Sequence, residues 1–330
     1  MKTWFARWFG GGDAAKAAAG QAPVPASAAA APAGAASAPA SASEVDAVFW
    51  RWLAGAESHA SQARAETLIL DELARLAASA DAGANLVPRV PAVIPQLLRS
   101  LRDDSVTSAD LARQLAHDVV LVAEVIREAN SPYYHPSAPV KTIEGAVMLL
   151  GQNGMRMLLA RVSFRPIINL QGGHFAAQLA PQVWRQSELC ALAASILAPS
   201  MGANPFEAYL AGLMENVGLM VALRLIDQLH ADAALPRSDQ FCVALYERAR
   251  ALSAKIATVW DFPVTVTAAI AQAGQEGAGA LARTLLLSDR VSKLRMLADA
   301  GQCAADGPFV VNGLDAAALA CFDKLKNEDD

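Results

Sequence analysis

From residue 44 onward, apolar side chains return every three to four positions, the spacing that lines one face of an α-helix. Val48, Phe49, Trp52 and Leu53, then Leu68, Leu70, Leu73 and Leu76, predict two helices. Pro88, Pro91 and Pro95 mark an entry segment, and the helix after Pro91 carries Val93, Ile94, Leu97, Leu98 and Leu101 on its apolar side. Thr107 or Ser108 can cap a helix over 109–117. The next, over 119–130, stops at Asn130-Ser131-Pro132, where proline forbids continuation. Thr142 starts a helix ending at Gly151, and residues 154–162 make one more. A second group begins near Gly173, with helical periodicity over 175–197, 205–229, 240–260, 264–272 and 281–297, and a last helix after Asp315. No strand alternation competes with these. The pattern predicts one all-α unit of two lobes.

The start of the chain follows different rules. Residues 11–43 are almost entirely Ala, Pro, Gly and Ser, which offer little side chain to bury and predict a disordered linker. Ahead of it, residues 1–10 set Trp4 and Trp8, and Phe5 and Phe9, four apart beside Lys2 and Arg7. An aromatic and basic tip on a tether suits docking to a partner or a membrane surface. A poorly ordered chain start accounts for it equally.

Composition narrows the chemistry. The chain is 54% hydrophobic and 18% charged, with alanine and leucine dominant, so it favours helix and can fill a core. Its net charge of -5 and the lack of a basic stripe interleaved with aromatics argue against nucleic-acid binding. Cys190, Cys242, Cys303 and Cys321 form no CxxC pair or cysteine–histidine cluster, as expected in a reducing cytoplasm. No uninterrupted apolar run reaches the roughly 18–20 residues of a membrane helix, and residues 1–12 lack a signal-peptide core. There is no GxxxxGK[ST] phosphate loop. His59, His117, His135, His174 and His230 make no HxxxH or HxH pair.

Several segments nevertheless stand in a specific order. Leu86-Val-Pro88-Arg-Val-Pro91 precedes His117-Asp118, then Asn130-Ser131-Pro132-Tyr133-Tyr134, then Val140-Lys-Thr-Ile143-Glu144 leading to Leu149-Leu150-Gly151. Trp184-Arg-Gln-Ser187 follows, then 208–218 with Glu215-Asn216 and Gly218, then 252–263 with Trp260 and Pro263. This string resembles an HDOD domain, whose second half is similar to the helical bundle of HD metal-dependent phosphohydrolases. The resemblance covers 85–294. It implies a first lobe over 85–172 and an HD-like second lobe over 173–294, preceded by a helical extension over 44–84 and followed by a helical tail over 295–330.

Each motif residue also has a packing role to fill. Asn130 and Ser131 suit a helix end, with side chains bonded to the following backbone. Tyr133, Tyr134, Trp184 and Trp260 suit packed aromatics. His117 beside Asp118 suits a helix cap or local pair. Gly151 and Gly218 suit backbone positions too tight for a Cβ.

In the HD enzymes a histidine, a His-Asp doublet and a later aspartate together hold a divalent metal that activates water. Aligned by the resemblance, the histidine becomes Gln186 and the doublet becomes Glu215-Asn216, leaving Asp289 as the ligand position retained. Later histidines of such enzymes give way to Ala271-Gln-Ala-Gly274. The expectation is therefore that no catalytic residue, metal or cofactor is present. Asp289 can equally form a surface i,i+4 pair with Lys293.

The resemblance implies a non-catalytic, cytoplasmic adaptor in bacterial signal transduction, which binds a signalling protein partner or a small regulatory ligand. Gln186, Glu215, Asn216 and Asp289 are the candidate groove residues. The competing expectation is a divergent metal-dependent phosphohydrolase or phosphodiesterase that uses Glu215 and Asp289.

Overall fold

The structure is a computed structural model that describes residues 41–55, 63–78, 107, 110, 113, 119–130, 136–168, 173–229 and 235–326. The peptide 1–10, nearly all of the linker, and Pro88, Pro91, His117, Asp118, Ser131, Tyr133 and Tyr134 lie outside these residues. Among the described residues there are helices and no strand, so the fold is all-α.

The extension comprises α1 (Ala42–Leu53) and α2 (Ala63–Ala78). Helix α1 begins two residues inside the stretch read as linker, because the Ser41 hydroxyl accepts a bond from the Glu44 N–H and caps it. Composition alone hid that boundary, since serine and alanine serve a tether and a capped first turn equally. Trp50, fully buried, donates from its indole N–H to the Pro236 carbonyl at 2.7 Å and lies 6.3 Å from the Phe241 ring. On α2, Glu66 accepts from the Ser238 hydroxyl at 2.7 Å. The extension thus packs on the second lobe.

The first lobe contributes α3 (Val119–Ala129) and α4 (Ile143–Ile168). Asn130 closes α3 as its sequence suggested. Its amide nitrogen donates to the carbonyls of Ile126 and Val140, at 2.8 and 2.7 Å, while its oxygen accepts from the Val140 N–H at 2.7 Å. Helix α4 bends sharply at Gly151, which takes φ 64 and ψ -175, so the two helices expected there meet at a kink. The reason for glycine differs from the expectation: a Cβ at Gly151 would meet nothing within 4 Å, and the requirement is the left-handed φ.

In the second lobe, α5 (His174–Met201) runs through the centre, flanked by α6 (Pro205–Met214), α7 (Val217–Leu229), α8 (Asp239–Val259), α9 (Val264–Gln272) and α10 (Ala280–Asp299). Pro263 stands just before α9, whose Thr267 N–H bonds back to its carbonyl at 3.0 Å. Trp184 and Trp260 are buried aromatics, and Trp260 stacks on Phe164 of α4 at 6.3 Å. The lobes are further joined by Arg161 of α4, which reaches Glu188 of α5 at 2.5 Å and Glu128 of α3 at 3.1 Å. Short α11 (Pro308–Val311) and α12 (Ala316–Lys324) fold back on α10, where the Arg295 guanidinium sits 4.5 Å from the Phe322 ring.

The single helix expected over 205–229 is instead two, broken at Glu215-Asn216. Ser253 of α8 explains the break. Its hydroxyl donates to the Glu215 carbonyl at 2.7 Å and accepts from the Gly218 N–H at 2.8 Å, so a side chain is inserted into the helical ladder. Gly218 is obligatory for close approach, since a Cβ there would lie 2.0 Å from the Ala249 carbonyl oxygen. The span Pro205–Leu229 is apolar enough by composition to cross a membrane, which departs from the expectation based on uninterrupted runs. In this fold 94% of its most apolar window is buried.

Candidate functional site

The break between α6 and α7 faces α5, α8 and α10, and the four residues singled out from sequence meet there. Gln186, Asn216, Glu215 and Asp289 are all buried, at 1%, 3%, 5% and 3% exposure. Buried polar groups need partners. Asn216 donates from its amide nitrogen to the Gln186 side-chain oxygen and to the Ser187 hydroxyl, the latter at 3.0 Å. Gln186 in turn donates to Asp289 Oδ1 at 2.8 Å and to the Ser292 hydroxyl at 3.0 Å. A polar chain therefore runs from the break between α6 and α7 through α5 to α10.

Three further charged residues complete the cluster. Arg250 of α8 donates from Nε to Glu215 Oε1 at 2.7 Å and places a terminal nitrogen 3.7 Å from Asp289 Oδ2. Lys293, one turn after Asp289, donates to Asp289 Oδ2 at 2.7 Å and to Asp46 Oδ1 of α1 at 2.5 Å, with its ammonium 4.0 Å from the centre of the Tyr246 ring. The i,i+4 pair expected on a helix surface thus forms in the interior, with Lys293 only 1% exposed. Helix α1 causes this, because Asp46 and Phe49 close over the ammonium.

The electrostatics follow from burial. Burial alone would lower the pKa values of Arg250 and Lys293, yet their carboxylate neighbours outweigh it and hold both above their ordinary values. Burial raises Glu215 above its ordinary carboxylate value, with Arg250 opposing and Asp289 reinforcing. Burial also raises Asp46, against the pull of Lys293. Three carboxylates thus share two cations, and Glu215 Oε2 is left buried without a hydrogen-bond partner.

This donor set does not fit a divalent metal. Asp289 has both oxygens engaged, and the Gln186 and Asn216 amide nitrogens point into the cluster as donors. A metal beside Glu215 Oε2 would confront the Arg250 guanidinium and lack the several oxygen or nitrogen ligands it requires. Arg250 and Lys293 provide the positive charge at this place.

Sequence reasoning found Gln186, Glu215, Asn216 and Asp289 but missed Asp46 and Arg250, and placed Lys293 on the surface. A usable sign existed. Asp46 lies three, four and seven positions before Phe49, Trp50 and Leu53, on the apolar stripe of α1. Arg250 occupies the same place in α8, four after Tyr246 and three before Ser253. A charged residue on a buried stripe must have a partner.

Comparison with known proteins identifies the family. The HDOD domain model matches residues 87–276, and the chain belongs to the HDOD family. Over 155 residues it is 24% identical to an uncharacterized protein of Treponema pallidum (strain Nichols). That match takes in 46% of this chain and 29% of the relative, so it spans under a third of the relative's length. Among solved structures, the fold is similar to an HDOD domain protein of unknown function from Geobacter sulfurreducens. Their TM-score is 0.55 at 18% identity, over 80% of this chain and 94% of that one. It is also similar to a Marinobacter aquaeolei VT8 protein named for signal transduction, with a TM-score of 0.54 at 19% identity over 83% and 65%. A Shewanella amazonensis SB2B protein named as a phosphohydrolase gives 0.53 at 22% over 78% and 92%.

Proposed function

We propose that this chain is a non-catalytic regulatory protein of bacterial signal transduction, which acts in the cytoplasm by binding a signalling protein through its HDOD domain. One observation carries the reading: the carboxylates at the inherited ligand positions, Glu215 and Asp289, are bonded to the cations Arg250 and Lys293 of the chain itself. Carboxylates paired with the chain's own cations are poorly disposed to hold a metal that activates water, which supports the reading. Membership of the HDOD family supports the regulatory role. The likeness to a protein named for signal transduction is consistent with it.

The competing reading, a metal-dependent phosphohydrolase, draws on Glu215 Oε2, a carboxylate oxygen of the cluster that is buried with no hydrogen-bond partner. Purified full-length chain should be measured for bound metal and for hydrolysis of phosphodiesters with Mg²⁺ or Mn²⁺ added. The regulatory reading expects sub-stoichiometric metal and no turnover above a Glu215→Ala control. Stoichiometric metal together with turnover abolished by Glu215→Ala would establish the enzyme instead. A pull-down from native lysate, comparing the full chain with one beginning at residue 41, would identify the partner and show whether residues 1–40 recruit it.

A further inference from the structure

Helix α1 stands outside the family-matched span of 87–276, yet it supplies two of the groups around Lys293. Its Asp46 carboxylate lies 2.5 Å from the ammonium and its Phe49 ring centre 6.0 Å away. Val45, Phe49, Trp50 and Leu53 form its buried face, and Asp46 projects among them. Further polar contacts lie toward its C-terminal half, Trp50 to the Pro236 carbonyl, Arg237 to the Arg51 carbonyl at 2.8 Å and an exposed pair of Arg51 with Asp239 at 3.0 Å, while Glu44 in its first turn lies within electrostatic reach of Arg290 on α10. This is how an amphipathic helix binds a groove on another protein, with apolar anchors at i, i+3 and i+4 spacing and one charged contact for register. The charge balance at that contact is unfavourable, because Asp46 adds a third carboxylate to Arg250 and Lys293, which Glu215 and Asp289 already neutralise.

We infer that α1 is a cis-acting plug, a separable helix that closes the Glu215–Asp289–Arg250–Lys293 cluster in the resting protein and opens independently of the rest of the fold. Its seat fits an acidic amphipathic helix with aromatics three and four positions after the acid, and in this protein α1 itself is the occupant. Small solutes reach the cluster only when α1 leaves. This goes beyond the regulatory role and stands whether or not the chain hydrolyses anything, since it concerns which segment covers the cluster.

The chain carries its own reporters. Cys242 on α8 is fully buried and lies within electrostatic reach of Arg51 on α1 and Glu66 on α2, and burial raises its thiol to about 12. The backbone amides of α9, which packs on α6, α8 and α10, give the control, because Cys321 shares its buried cluster with Val45 of α1. Native thiol labelling of the full chain, read site by site by mass spectrometry, compares Asp46→Lys with Asp46→Asn. The lysine meets Lys293 at close range and should eject α1, raising the Cys242 labelling rate by about tenfold or more while hydrogen exchange of the α9 amides is unchanged. Asp46→Asn removes the surplus charge and should label no faster than the unaltered chain. Adding a free peptide of residues 41–54 should slow Cys242 labelling again in Asp46→Lys. Cys242 unchanged in Asp46→Lys, or exchange of the α9 amides accelerating in step with it, would overturn the plug. If Asp46→Lys does not fold, amide hydrogen exchange of the unaltered chain decides. Exchange of α1 amides at lower protection than those of α10 supports separate opening, and equal protection overturns it.

Discussion

Lys293 is the residue whose removal should be felt most. It is 1% exposed and its ammonium holds Asp289 at 2.7 Å and Asp46 at 2.5 Å. In Lys293→Met the apolar stem is kept and only the charge is lost. The three carboxylates are then left with Arg250, which bonds Glu215 at 2.7 Å but approaches Asp289 no closer than 3.7 Å. Breaking a buried pair by removing one partner costs about 3–5 kcal/mol, because the other charge stays buried. For a folded body of this size that corresponds to a fall of roughly 10 °C in Tm. Much of the cost should be recovered when Asp46, the carboxylate left with no bonded cation, is neutralised too, so Lys293→Met with Asp46→Asn should return to within about 1–2 kcal/mol of the unaltered chain. Urea unfolding followed by far-UV circular dichroism measures all three proteins. If Lys293→Met loses less than about 1 kcal/mol, or the double variant is no better than the single, the ammonium is not what neutralises Asp46.

Three other outcomes follow from the same geometry. Burial raises the pKa of Glu215 above 4.5, so the folded protein holds that proton more tightly than the unfolded chain. Its contribution to stability is complete below the unfolded value and is lost as pH rises through the folded one. Glu215→Gln lacks this dependence and should gain on the unaltered chain as pH increases from about 4 to 8, as read in urea midpoints; a flat or opposite trend would contradict the burial. Gly218→Ala puts a Cβ 2.0 Å from the Ala249 carbonyl and should cost about 3 kcal/mol or more. Gly151→Ala meets no clash but must hold φ 64 with ψ -175, a region kept almost wholly to glycine, and should cost about 1–3 kcal/mol, so thermal melts that rank the two the other way would refute the distinction. Asp227 accepts the N–H groups of Phe175 and Ala176, at 2.7 and 2.9 Å, at the start of α5. Asp227→Ala should therefore lose about 1–2 kcal/mol in equilibrium unfolding, and a change under about 0.3 kcal/mol would show that the bonds contribute nothing.

Much of the fold was legible because helices announce themselves over short distances. The stripes through α8, α9 and α10, the stop at Asn130 and the start after Asp315 are all encoded within one or two turns. The interruption at Glu215-Asn216 was not, because its cause is the Ser253 hydroxyl, which arrives from a different helix. Resemblance placed Gln186, Glu215, Asn216 and Asp289 in one cluster, and they do meet. What resemblance could not supply was the counter-charge. Lys293 reaches Asp46 across 247 positions, and Asp46 belongs to an extension outside the family pattern. Only its place on an apolar stripe betrays it.

A fold completed by a bound ion depends on supply: its stability grows with the logarithm of free ion concentration and falls when a chelator lowers it. Arg250 and Lys293 are covalently part of the chain, so they arrive with every molecule synthesised, at fixed stoichiometry and with no dissociation constant. The neutralisation of Glu215 and Asp289 is therefore the same in metal starvation and in metal excess.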